Sequence, residues 1–210
     1  MSEVVLDTVA LRVMAFAHPD GIDILLAALA VAAARFPAEV YNADEDAPLP
    51  DADVSELARG LRFARRQVAA QPAVQGRRYA TWLANTAQIA HHLAVGTLII
   101  DPLTVSGLQR REEVRQRFGI GVGESAGIVL AERFGGVAIF LSSDDRAYQS
   151  AQALGIRSLT LLDVLEMWVQ TQHPLLAVFD DLVDGMKAAK FGLKRDFAAG
   201  LRVRLRETRE

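Results

Sequence analysis

The sequence predicts an α/β fold built on a parallel sheet. Short apolar runs typical of buried strands alternate with helical patterns from residue 97 onward, and such alternation indicates parallel strands joined by right-handed crossovers. Acidic residues follow two apolar runs of this kind, directly after residues 4–6 and two serines after residues 137–141. Because ligands of open parallel sheets bind outside the carboxyl ends of the strands, these positions predict a functional site.

The first half of the chain predicts two strands and three helices. Apolar residues recur at helical spacing before Pro37, which ends the first helix, and Gly96 ends the last one. The predicted elements are, in order, a strand over 3–8, a helix over 20–35, a strand over 39–42, an acidic loop over 44–53, and helices over 53–70 and 78–95.

The second half predicts the regular alternation and then a basic helical end. The elements are a strand over 97–100, helices over 107–117 and 123–134, a strand over 137–141, a helix over 145–154, a strand over 156–160 and a helix over 161–171. Residues 175–210 are expected to be helical. Leu201, Val203 and Leu205 alternate with arginines, however, and this spacing also fits a strand with one apolar face.

Composition predicts a globular protein of the cytoplasm. No apolar run is long enough to span a bilayer, and the start does not resemble a signal peptide. The absence of cysteine excludes disulfides, thiolate zinc sites and a cysteine nucleophile. Since the net charge is −3, overall charge gives no support for nucleic-acid binding, and local basic patches would have to supply it.

The acidic residues at the strand ends predict a metal site. The candidates are Asp7, the cluster at 44–46, Glu124, Asp144 and Asp145. Gathered carboxylates repel one another unless a cation neutralises them, and Mg²⁺ and Mn²⁺ prefer oxygen ligands. Each residue also has a structural explanation, because aspartates cap helices and a glutamate in a first turn complements the helix dipole. We therefore expect a metal-dependent enzyme of phosphodiester chemistry.

Several segments together resemble the PIN domain family. The resemblance covers about 1–45 and 97–165, and its most specific block is the glycine–glutamate helix start, the strand ending in aspartates and the alanine-rich helix ending in Leu-Gly-Ile. The matching segments are 4–8, 21–25, 121–131, 137–145 and 151–156. The resemblance implies a three-layer α/β/α sandwich over residues 1–171, with a helical insertion at about 46–95 and a basic extension at 172–210.

The resemblance also implies a chemistry. Many PIN domains are Mg²⁺- or Mn²⁺-dependent ribonucleases, and the bacterial ones include VapC-type toxins, which have antitoxin partners and often dimerise. By similarity, Asp7, Glu124 and Asp144 or Asp145 would be the catalytic metal ligands, and Thr8 would orient Asp7 or a water molecule.

The second acid of the family departs from its usual position. This acid normally follows the second strand, about three residues after a valine, and counting three from Val40 leads to Ala43. Asp44 and Glu45 are adjacent, so both are candidate ligands, and Glu39 is a poorer one.

Basic residues supply candidate contacts to nucleic acid, which would be RNA or single-stranded DNA. They lie on or between the predicted insertion helices: Arg59, Arg62, Arg65, Arg66, Arg77 and Arg78. A solvated helix face is the alternative explanation of these arginines, and charge patterning favours it. Three functions remain open: an endoribonuclease acting as a toxin or defence effector, a non-catalytic module binding RNA or a protein, and a nuclease acting on single-stranded or flap DNA.

Overall fold

The computed structural model describes residues 2–42, 54–70 and 74–207. Its centre is a five-stranded parallel sheet with the strand order β3-β2-β1-β4-β5. The strands are β1 (Glu3–Leu6), β2 (Ala34–Phe36), β3 (Leu98–Ile100), β4 (Ala138–Leu141) and β5 (Arg157–Leu159). The predicted α/β class and the predicted parallel sheet are therefore confirmed.

Eleven helices within the described residues surround this sheet. They are α1 (Thr8–Ala17), α2 (Gly21–Leu29), α3 (Glu56–Ala70), α4 (Val74–Asn85), α5 (Ala87–Ala94), α6 (Val105–Phe118), α7 (Val122–Phe134), α8 (Asp145–Ala153), α9 (Leu161–Gln172), α10 (Leu176–Ala188) and α11 (Arg195–Glu207). None of these helices is both long and apolar enough to cross a membrane.

The sheet separates two hydrophobic cores. Successive side chains of a strand point to opposite faces, so Val4 and Leu6 of β1 join one core and Val5 joins the other. The larger core contains side chains of α1–α5 and α9–α11, and the smaller one contains side chains of α6, α7 and α8. Helices on both faces of one sheet are compatible with the expected three-layer sandwich.

Helix α1 was not among the predicted elements. The chain leaves β1 at Leu6, and Asp7 caps the new helix by accepting a hydrogen bond from the Ala10 backbone N–H at 2.6 Å. Seven of its ten residues are buried and apolar. A helix that is apolar on nearly every side gives no clear 3.6-residue period, and the sequence pattern therefore did not show it.

The second strand lies earlier than predicted, and the predicted strand over 39–42 is wrong. Helix α2 ends at Leu29 because Ala30 adopts the left-handed conformation (φ 51°), which frees the following residues for β2. Residues 38–40 form a turn instead. The predicted helix over 20–35 therefore combined α2 with β2. The alanine-rich segment 27–34 favours a helix by its local propensity, but the pairing of residues 34–36 with β1 and β3 makes these residues a strand.

The end of the chain is helical, and the strand alternative over 201–206 is wrong. In α11, Leu201 and Leu205 are one helical turn apart and buried, whereas Val203 is half exposed. Helix α10 packs against α1, and Phe179 and Met186 of α10 belong to the same core as β1.

Candidate functional site

Four carboxylates from different parts of the chain influence one another at the carboxyl ends of β1 and β4. Asp7 follows β1, Glu56 begins α3, Glu124 lies in the first turn of α7, and Asp144 precedes α8. The charges of Glu124 and Asp144 both act on Asp7, and those of Asp144 and Glu56 act on Glu124. This is the sheet edge where parallel α/β proteins bind ligands.

Asp7 is the most deeply placed of the four. Its side chain is fully buried, and its carboxylate accepts hydrogen bonds from the Ala10 backbone N–H and the Ser142 hydroxyl. Burial, more than the neighbouring acids, raises the pKa of Asp7 to about 7, against the lowering effect of these two hydrogen bonds. A buried carboxylate that two hydrogen bonds hold in place favours any added cation that can neutralise it.

Glu124 is held by the start of its own helix. Its Oε2 accepts a hydrogen bond from the Gly121 backbone N–H at 2.7 Å, which fixes the side chain at the mouth of the site. Burial raises the pKa of Glu124, with smaller contributions from Asp144 and Glu56. The cap explains this glutamate structurally, as the sequence allowed, but does not explain its position among three other acids.

Asp144 and Asp145 occupy different environments. Asp144 is half-buried, and its Oδ1 accepts hydrogen bonds from the backbone N–H groups of Arg146 (2.9 Å) and Ala147 (3.0 Å). Asp145 is exposed. Both line an open cleft of about 490 Å³ with Glu124, but the charge of Asp144 reaches Asp7 and Glu124. The geometry therefore favours Asp144 as the inner residue of the pair.

Glu56 is the site residue that sequence reasoning missed. The start of α3 lies against the turn after β2, where the Leu57 backbone N–H donates to the Val40 carbonyl oxygen at 3.1 Å. A Cβ atom added at Gly123 would lie 3.0 Å from Glu56 Oε2. The carboxylate thus faces the first turn of α7, although in the sequence it is an ordinary first-turn glutamate of a charged helix.

The Thr8 hydroxyl lies between these elements without a partner. Thr8 is 7% exposed, and its Oγ1 is buried with no hydrogen bond to any described residue. A Cβ atom added at Gly123 would lie 2.7 Å from this oxygen, which is too close for a side chain. The glycine therefore leaves space beside the Thr8 hydroxyl. Because buried polar atoms are normally paired, an orphaned hydroxyl in this position indicates a site that takes water or a ligand.

Two cations stand near the acids. Arg12, on α1, is partly buried, and burial lowers the pKa of its guanidinium while Asp7 and Glu56 raise it. Arg146 lines the cleft of Asp144 and acts on Glu124. These arginines were not predicted as site residues, because Arg12 lies on the helix that the sequence pattern did not show and Arg146 looks like an ordinary residue of a predicted helix.

Of the other predicted second acids, only Glu39 lies among the described residues, and it pairs with an arginine. Asp44 and Glu45 lie outside the residues that the structure describes. Glu39 forms an ion pair with Arg111, whose Nη1 donates to Glu39 Oε1 at 2.7 Å. Glu39 is thereby already neutralised.

The donor set has the chemistry that a hard divalent cation requires. It combines carboxylate oxygens with an orphaned hydroxyl in a place where burial disfavours uncompensated charge. Within residues 2–42, 54–70 and 74–207, no three His, Cys, Asp or Glu side chains are close enough together to hold one ion. The described carboxylates therefore do not by themselves form a closed ion site.

The predicted basic residues lie on α3 and α4, which pack against each other. Arg65, Arg66, Arg77 and Arg78 are exposed, and Arg62 is half-buried. The Arg78 guanidinium stacks over Tyr79 and Trp82, with distances of 4.9 and 5.2 Å from its central carbon to the ring centroids.

Comparisons with known proteins give no independent assignment. No protein-family model matches the chain, and a search of curated proteins finds no significant match.

Proposed function

We propose that this protein is a metal-dependent nuclease of PIN type that hydrolyses phosphodiester bonds of RNA. The observation that supports it is the convergence of Asp7, Glu56, Glu124 and Asp144 beside the unpartnered Thr8 hydroxyl. In this proposal α3–α5 represent the helical insertion and α10–α11 the extension. A role as a toxin with an antitoxin partner, or as a homodimer, is part of the same proposal and has the family resemblance as its support.

The proposed cofactor is Mg²⁺ or Mn²⁺. Asp7, Glu56, Glu124 and Asp144 would hold it, directly or through water, and Thr8 would orient one of those waters. When bound, a divalent ion lowers the pKa of water and stabilises negative charge on a phosphodiester.

The residues of the chain divide the remaining work by position. The two hydrogen bonds to Asp7 fix its carboxylate, and the cap at Gly121 fixes Glu124, so neither acid needs to be ordered during the reaction. Arg12 and Arg146 supply positive charge beside the acids, where a phosphate group would bring more negative charge.

Cleavage assays with conservative variants test this proposal. We expect Asp7→Asn, Glu56→Gln and Glu124→Gln each to lower Mn²⁺-dependent cleavage of labelled RNA by at least about 100-fold, because each removes charge from a preorganised site. Asp184→Asn is the matched control, since Asp184 is an exposed carboxylate paired with Lys187 on α10. Circular dichroism of every variant establishes that the fold is retained.

Folded variants that all keep wild-type cleavage would contradict the assignment of the site. Matched RNA and single-stranded DNA oligonucleotides in the same assay decide whether the enzyme acts on RNA or is instead a DNA nuclease.

One observation favours a second candidate, a non-catalytic module of the same fold that binds RNA or a protein. The acids do not form a group of three at metal-holding distance within the described part of the chain. Calorimetry with Mn²⁺ separates the two functions. Binding that is lost in Asp7→Asn supports the enzyme, and no binding supports the module.

A further inference from the structure

We propose that the outer face of α3 and the apolar cleft at its start bind an unpaired nucleic-acid strand, with Arg59 contacting a backbone phosphate and Phe63 stacking on a base. This subsite rests on the proposed function only in assuming that the strand passes the acidic residues. Arg59 is one of the basic residues identified from the sequence, whereas Phe63 was not among the candidates. The argument depends on the cleft, on the register of α3, and on the charge and exposure of these two side chains.

The cleft adjoins the acidic residues through Glu56. It measures about 510 Å³, and Glu56 and Arg59 contribute to its lining. Its walls are mainly apolar: Val54, Pro102, Leu103, Leu108 and Val122. Leu108 and Val122 are 41% and 40% exposed, so these apolar groups face solvent beside a charged site. Apolar walls next to a cation suit a nucleobase joined to its phosphate.

The register of α3 places the cleft residues and Phe63 in one line. Glu56, Arg59 and Phe63 are spaced i, i+3 and i+7, which puts them on one face of the helix. Leu57, Leu61 and Ala64 of the same helix are buried on the opposite side. A nucleic-acid strand that runs from the acidic residues along this face of α3 would therefore contact Arg59 before Phe63.

The charge of Arg59 is available to a ligand. Arg59 is exposed and forms no ion pair with any carboxylate of the described residues. On α6, across the cleft, Arg110, Arg111 and Arg115 each pair with a glutamate at 2.7–3.0 Å. These three arginines of α6 are thus neutralised within the protein, whereas Arg59 can bind an external phosphate.

Phe63 offers an aromatic ring that is held on one side and open on the other. The ring is 45% exposed, and it makes an edge contact with Tyr79, with centroids 5.7 Å apart. Tyr79 is buried and contacts Trp82 at 5.0 Å, so the ring rests on a fixed aromatic group of α4. Stacking of a base on such a ring strengthens single-strand binding by roughly 5- to 150-fold per base.

The combination favours an unpaired nucleic acid over other polyanions. A duplex presents phosphates but hides the faces of its bases, so it would not engage Phe63. An acidic peptide would engage Arg59 but has no flat aromatic base to place against Phe63. Only a single strand uses both residues and also brings a phosphodiester to the acids.

Fluorescence anisotropy with fluorescein-labelled oligouridylates of 4 and 12 nucleotides tests the proposal. The full chain carries Asp7→Asn to prevent cleavage, and Phe63→Ala, Phe63→Leu and Arg59→Gln are added singly. Phe63→Leu keeps an apolar contact to Tyr79 while removing the flat ring. Val203→Ala and Arg206→Gln are the matched controls, because they remove an exposed apolar group and an exposed cation from α11.

We expect both Phe63 variants to weaken binding of the 12-mer by roughly 5- to 150-fold, and to affect the 4-mer much less. Arg59→Gln should weaken binding and reduce the slope of log affinity against log salt by about 0.7, the contribution of one phosphate contact on a single strand. The controls should stay within about twofold of the parent.

Three results would overturn the proposal. The first is that the Phe63 and Arg59 variants bind the 12-mer with the same affinity as the control variants. A hairpin duplex of the same length that binds as tightly and with the same sensitivity to Phe63→Leu would exclude the single strand. Competition by polyglutamate as strong as that by unlabelled oligouridylate would indicate a protein partner instead.

The outcome is separable from that of the proposed function. If the wild type cuts no RNA but the 12-mer still binds through Phe63, the subsite stands and the nuclease does not. If cleavage depends on Asp7 while Phe63 and Arg59 have no effect on binding, the nuclease stands and the subsite does not.

Discussion

At the scale of single residues, Asp7 has two tasks that conflict. It caps α1 through the Ala10 backbone N–H, which a helix start requires, and it holds a carboxylate in a fully buried position. Burial raises the pKa of Asp7 from 3.8 to about 7. A folded-state pKa above the unfolded one means that the protein loses stability as the pH rises from about 4 through about 7.

The pH dependence of stability tests this conflict. The measurement is made with a metal chelator present. Between about pH 4 and pH 7, the free energy of unfolding of the wild type should fall relative to that of Asp7→Asn by up to about 4 kcal/mol. The reason is that only the wild type must ionise a buried carboxyl group. Urea denaturation at intervals between pH 4 and pH 8 measures the difference. A difference that does not change with pH would show that Asp7 ionises freely in the folded protein.

At the scale of elements, close helix packing decides where the helices of the larger core can lie. A Cβ atom added at Gly185 of α10 would lie 1.9 Å from the carbonyl oxygen of Ala17, at the end of α1. Only a glycine permits this approach of two backbones. Since Asp7 caps α1 and Arg12 lies on it, the contact between α10 and α1 also helps to hold the helix that carries these site residues.

A pair of glycine substitutions tests this packing. Gly185→Ala should destabilise the protein by about 1–3 kcal/mol, because the methyl group must push α10 away from α1. Gly200→Ala is the matched control in α11, where nothing lies within 4 Å of the added Cβ, and it should stabilise by up to about 1 kcal/mol through helix propensity. Urea denaturation measures both, and equal effects of the two substitutions would contradict the close contact.

At the scale of the whole molecule, the last two helices complete the larger core. Phe179 of α10 is fully buried and stacks with Trp168 of α9, with ring centroids 6.3 Å apart. Leu201 and Leu205 of α11 belong to the same hydrophobic cluster as Val4 and Leu6 of β1. Residues 172–207, which the sequence distinguishes by their basic character, therefore contribute to the stability of the sheet.

Truncation of one buried ring tests this contribution. Phe179→Ala should lower the free energy of unfolding by about 3–5 kcal/mol, since it leaves a cavity in a packed core. Leu175→Ala, at an exposed position one residue before α10, should change it by less than about 0.5 kcal/mol. A single cooperative transition that is shifted in Phe179→Ala would show that α10 unfolds with the sheet, whereas an unchanged transition would show that it does not.

The sequence alone determined the elements whose pattern is local. Strands β1, β4 and β5 and helices α3 and α6–α9 lie close to their predicted ranges, because short apolar runs and glycine or proline boundaries encode them directly. The positions of Asp7 and Asp144 at strand ends follow from the same pattern. Helix α1 was missed because apolar residues on nearly all of its sides concealed the 3.6-residue period of a helix. Strand β2 was missed because the alanine-rich residues before it resemble a continuing helix.

Only the tertiary structure decided which side chains meet. Glu56 joins the acids because the start of α3 lies against the turn after β2 and Gly123 leaves space beside it. The isolation of the Thr8 hydroxyl, the burial of Asp7 and the placement of Arg12 likewise depend on contacts between segments that are distant in the chain. Periodicity along a sequence specifies which face of an element is buried, but the docking of one element on another determines what that face contacts.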